Sequence, residues 1–143
     1  MIIKKYQKYL IKTYFYNFVI VSLVFLSLGF ILNFFEELKF FNDYETTAFY
    51  PLLLALLNTP SVLFELFPFI FLITTKFFFI KLIEQNENIS FKNFGLSNSK
   101  IIKLLAILSF LIGVIIVTIF YNLSSNLKHS YLNIKNSYAK DNK

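Results

Sequence analysis

Reactive side chains are few in this sequence and lie far apart. There is one histidine, His129, no cysteine, and eight acidic residues against 14 basic ones, all of them lysine. No glycine-rich phosphate loop, no Ser/His/Asp arrangement and no set of metal-ligand spacings occurs, so neither hydrolysis nor a bound cofactor is expected. His129 stands in a polar tail and reads as a surface residue. The stretch that suggests work is EQNENISFKNFGLSNSK, from Glu84 to Lys100. It is polar, yet long enough for a helix of about two or three turns over 84–94. Ile83, Phe91 and Phe94 give that helix a partial apolar face. Gly95 suits a helix stop at positive φ, and Ser97 or Asn98 can cap the helix that follows. Set between two apolar segments, such a helix would transmit force from a cytoplasmic partner. A solvated interhelical turn is the plainer alternative.

The elements that hold this stretch follow from composition. Of 143 residues 57% are hydrophobic, 20% aromatic and only 15% charged, against roughly 25% charged in soluble domains. The chain therefore reads as an all-α integral membrane protein. Its net charge of +6 is spread between apolar runs, whereas a nucleic-acid footprint would be a clustered basic patch. No nucleic-acid partner is expected. A hydrocarbon layer of about 30 Å needs roughly 20 helical residues, and three segments qualify. The first, at about 14–35, lies in the charge-free run between Lys12 and Glu36. Lys4, Lys5, Lys8 and Lys12 ahead of it resemble a basic leader, but the apolar run exceeds the roughly 7 to 15 residues of a signal peptide and FFEELKFF offers no small-residue cleavage site. An uncleaved anchor is the expectation.

The second apolar region, Thr46 to about Ile83, is too long for one span. Pro60 and Pro68, each lacking an amide N–H, divide or kink it. Tyr50–Asn58 is expected as a short helix at the membrane surface or against the bundle, with the true span at about 61–83. Glu65 near its start reads as interfacial, with a buried functional carboxylate as the alternative. The third span, at about 101–121, belongs to a charge-free run from Leu104 to Leu127. Residues 1–121 would thus form a transmembrane domain. The polar, Asn-rich residues 122–143 would form a connector leading elsewhere.

Lysine distribution sets the expected orientation. The N-terminus and the Lys81–Lys103 segment are lysine-rich and should be cytoplasmic. The loop after the first span, with Lys39 against Glu36, Glu37, Asp43 and Glu45, fits the outer side. Three spans then place the tail outside despite Lys128, Lys135, Lys140 and Lys143.

The run LLNTPSVLFELFPFIFLITTKFFFIKLIEQNENISFKNFGLSNSKI resembles the N-terminal half of the LptF/LptG family of lipopolysaccharide-export permeases. That family carries a proline before its second span, a second about eight residues on after Leu or Phe, and then a Glu followed at a spacing of eight by Gly-[IFL]-Ser. Pro60, Phe67-Pro68, Glu87 and Gly95-Leu96-Ser97 occupy those places, and the basic entry and FFEELK exit of the first span lean toward the LptG branch. Asn86, Asn88 and Ser125 depart from the pattern. The resemblance implies a six-span permease with a periplasmic β-jellyroll, of which this chain would be the N-terminal three-span part, as a fragment, truncated product or split gene.

The resemblance further implies an inner-membrane transport component with its N-terminus cytoplasmic and its C-terminus periplasmic. Its partners would be a cytoplasmic ABC ATPase dimer that performs the hydrolysis, a paired LptF/LptG-type permease subunit, a periplasmic bridge protein, lipopolysaccharide and membrane lipids. Glu87 would sit on a coupling helix and pair with a basic residue of the ATPase, supported by Glu84, Phe91 and Phe94, with Gly95 turning the chain back into the membrane. The first span would line the lipid cavity and its lateral gate, with Ser22, Ser27, Gly29 and Asn33 as its small and polar residues; the small ones permit close helix packing. Phe67 and Phe91 are packing residues or lipid contacts. Lys4, Lys5 and Lys39 would meet lipopolysaccharide phosphates or ordinary anionic headgroups. A small accessory protein that scaffolds another complex is the alternative from a different class, and a membrane enzyme is a third.

Overall fold

The computed structural model describes the backbone of residues 2–42, 47, 49–93 and 95–140, and their side chains except at 2–4 and 88. Described residues form α1 (Ile2–Phe41), α2 (Phe49–Glu84), α3 (Glu87–Asn93), α4 (Asn98–Ile115), a π-helical segment (Ile116–Phe120) and α5 (Tyr121–Lys140). Three helical stretches are long and apolar enough to cross a membrane. Many apolar side chains on them remain exposed, among them Leu32 at 66%, Leu72 at 65% and Phe110 at 72%, as helices that meet hydrocarbon should be. The fold is all-α among the described residues.

α1 has 40 residues, about 60 Å at 1.5 Å each, roughly twice the hydrocarbon thickness. The basic leader and the FFEELKFF exit are therefore helical extensions of the span. α2 differs from expectation, since Tyr50–Asn58 and the span are one helix of 36 residues running through Pro60 and Pro68. Breaking a helix in hydrocarbon would expose several backbone polar groups, which costs more than the one amide that each proline removes. Beside Pro60 the Thr59 hydroxyl donates to the Ala55 carbonyl at 2.6 Å, so this hydroxyl is satisfied within the helix. Residues 121–140 form α5, which continues the third helix, so the stretch expected as a connector over 122–143 is helical where described.

The chain divides into two compact units, residues 1–22 with 68–115, and residues 23–67 with 116–143. In the first, Tyr14 is fully buried. Its hydroxyl meets Ser109 at 2.7 Å and Thr75 at 3.3 Å, and its ring meets Phe78 edge-on at 5.8 Å. In the second, Phe41, Leu54 and Tyr131 form a core against which Tyr50, Leu57, Ile134 and Tyr138 pack.

Candidate functional site

The turn from α2 through α3 to α4 lies within the first unit. Asn86 joins α2 to α3 in the left-handed region at φ 54°, a conformation that Asn tolerates through local hydrogen bonding. Its carbonyl accepts from the amides of Ile89 and Ser90, which starts α3. At the other end Gly95 has φ +77°. The Leu96 amide donates to the Phe91 carbonyl and the Gly95 amide to the Lys92 carbonyl, each at 2.9 Å. These paired bonds are a Schellman stop, which requires a residue at ease with positive φ. The Lys100 ammonium donates to the Gly95 carbonyl at 3.3 Å.

On α3, Glu87 accepts a hydrogen bond from the Tyr9 hydroxyl of α1 at 2.5 Å on Oε1. That bond raises the Tyr9 pKa above the ordinary tyrosine value, with desolvation adding to it. Tyr9 precedes the charge-free run of α1 and so belongs to the basic entry turns. Phe91, one turn beyond Glu87, is 3% exposed. Its ring meets Tyr6 edge-on at 5.2 Å and Tyr9 at 6.5 Å. Phe91 thus packs α3 onto α1 instead of standing open to a partner. Glu84 ends α2 and is exposed. Phe94 lies outside the described residues.

The polar residues expected along a lipid path fall in different places. Ser22 belongs to the first unit, where its hydroxyl is buried without a described hydrogen-bond partner. Ser27, Gly29 and Asn33 belong to the second. Ser27 is exposed and returns its hydroxyl to the Leu23 carbonyl at 2.8 Å. A Cβ on Gly29 would meet Val62 at 3.8 Å, ordinary contact distance, so the approach of α1 to α2 there does not demand glycine. Asn33 is buried and joins Asn58 at 2.9 Å and Thr59 at 3.4 Å. Beside this cluster, Ser27, Phe30, Leu56 and Pro60 help line a cavity of about 440 Å³. Pro68 lies inside α2 in the other unit.

A charged cluster that sequence reasoning missed also belongs to the second unit. Glu37 is 1% exposed and accepts on Oε1 from Tyr131 at 2.8 Å and Lys135 at 2.9 Å. Burial lowers the Lys135 pKa, but hydrogen bonds with Tyr131 and Glu37 outweigh it and leave the net shift upward. Glu65 stands 3.9 Å from Lys128 with both side chains exposed. His129 is exposed and bonded to Asn133 at 3.1 Å. Phe67 is buried against Phe64 and Phe120. Lys5 and Lys39 are exposed, and the Lys4 side chain lies outside the described ones.

These features together provide a short polar helix with a held carboxylate, and polar seams between apolar helices. Neither is a catalytic arrangement. In comparison with known families, the model described as lipopolysaccharide export system permease LptF/LptG matches residues 8–143. No match was found to a curated protein or to a solved structure.

Proposed function

Because this chain belongs to the LptF/LptG family of lipopolysaccharide export permeases, we propose that it supplies the N-terminal, three-span part of an inner-membrane permease driven by a separate cytoplasmic ABC ATPase. The chain is a transporter component and not an enzyme. The observation that carries the detailed reading is α3, a seven-residue helix fixed between two membrane helices with Glu87 held at its first turn. Isolated helices of that length are unstable in water, so α3 owes its order to its attachments and follows whatever moves it. Glu87 takes a basic side chain of the ATPase, Glu84 adds negative charge, and Gly95 returns the chain to the bilayer.

In this reading a second LptF/LptG-type permease subunit completes the membrane assembly and a periplasmic bridge protein receives the lipid. The seam around Asn33, with Ser27 and Gly29, belongs to the face that passes lipopolysaccharide, and residues 122–143 leave the membrane on the periplasmic side. Co-purification with the organism's candidate export ATPase tests this. The wild-type permease is expected to retain the ATPase and Glu87→Ala to lose most of it. A wild-type chain that retains none would favour the accessory-scaffold reading.

A further inference from the structure

Glu87 and Phe91 are four residues apart and so share one face of α3, while Tyr6 and Tyr9, three apart, share one face of α1. The two faces meet as a clasp. The Phe91 ring lies 5.2 Å from Tyr6 and 6.5 Å from Tyr9, and the Tyr9 hydroxyl reaches Glu87 Oε1 at 2.5 Å. These contacts join residues 78 positions apart, so they tie α3 to a helix that is not its chain neighbour. Carboxylates accept at both oxygens, and Glu87 Oε2 has no described hydrogen bond. A carboxylate fixed at one oxygen can present the other to an arriving cation without first losing side-chain freedom, which is a form of preorganisation.

We propose that Tyr9 is the positioning residue of the coupling site, fixing Glu87 for a cationic side chain of the ATPase and making α1 follow α3 directly. This rests on the coupling reading of α3 given above. Without the clasp, α3 would act on the membrane helices only through its short links to α2 and α4. With it, a displacement of α3 is imposed at the same moment on the entry turns of α1, an unbroken helix from Ile2 to Phe41.

The test uses the full permease assembled with its partner subunit and ATPase in vesicles containing lipopolysaccharide. Tyr9→Phe keeps the ring beside Phe91 and removes only the hydroxyl. The ATPase is expected to remain bound, while lipid released per ATP falls at least threefold and amide exchange over residues 87–93 quickens at least threefold. Unchanged values of both quantities overturn the proposal. Glu87→Gln keeps an acceptor for Tyr9 but loses the charge, and is expected to weaken ATPase retention while leaving amide exchange unchanged; faster exchange there would overturn the assignment of positioning to the hydroxyl. Full ATPase retention by Glu87→Ala would sink the coupling reading itself, which separates that failure from failure of the clasp. Should Tyr9→Phe prevent assembly, the double substitution Tyr9→Cys, Glu87→Cys decides instead with a bis-maleimide whose reach matches the two long side chains replaced, since their tip-to-tip contact exceeds what a disulfide spans: ready cross-linking supports the clasp, and its absence overturns it.

Discussion

Removing Lys135 would leave Glu37 as a carboxylate 1% exposed with only the Tyr131 hydroxyl as partner, and with Oε2 already lacking any. Breaking a buried pair from one side typically costs about 3–5 kcal/mol, whereas replacing both members by neutral groups of similar size is often near neutral. Lys135→Ala is therefore expected to lower stability in detergent by about 2–4 kcal/mol, toward the low end because Lys135 is itself partly exposed. Glu37→Gln combined with Lys135→Met should recover much of that loss, and thermal unfolding of the three proteins checks the order. At Gly29 the opposite holds. A Cβ fits at 3.8 Å from Val62, and alanine favours helix by about 1 kcal/mol over glycine. Gly29→Ala is thus expected to fold with equal or higher stability, and a drop of the melting midpoint by several degrees would contradict that. The role read for Gly29 from its size rests on a rule about close packing that this position does not need.

Individual elements show which signals in a sequence are strong. The three apolar runs, the polar insert and the glycine stop at Gly95 were legible because each has a local cause: run length, charge and a φ that side chains resist. The second helix reads as two from sequence because in water a proline breaks a helix. In hydrocarbon the competing cost of free backbone groups keeps Phe49–Glu84 whole. The tail has no apolar period long enough for another span, and its helical signal is a narrower one. Ser124, Leu127, Tyr131, Ile134 and Tyr138 recur at intervals of three and four and are each at least partly buried, a narrow seam that packs a polar helix by one face. Tyr9 had no local signal, since its partner stands 78 positions away. For α3 the stop itself is testable. Gly95→Ala places a Cβ at φ +77°, a cost of roughly 1 kcal/mol or more. The stop should loosen, with faster amide exchange at Phe91 and Lys92 and weaker ATPase retention, and unchanged exchange would show that the Schellman bonds survive without glycine.

At the scale of the whole chain, charge placement and span number make a joint claim about sidedness. Between Ser90 and Ser130 the sequence has one charge-free run long enough to span, Leu104 to Leu127, so a chain that crosses there puts the two serines on opposite sides. On the proposed orientation the lysine-rich insert places Ser90 in the cytoplasm. The tail, with four lysines of its own, was the conflicting segment, yet two of those charges are matched: Lys128 stands by Glu65 and Lys135 by Glu37. The topological bias counts lysines and not net charge, so direct labelling decides the side of the tail. The sequence has no cysteine, and both serines are exposed, so single reporters need no background removal. In intact cells, a membrane-impermeant maleimide is expected to label Ser130→Cys and to spare Ser90→Cys until the membrane is opened. The reverse pattern would invert the proposed orientation and remove α3 from reach of any cytoplasmic ATPase. Labelling of both without opening the membrane would mean that the third helix does not cross, and with it the three-span reading would fall.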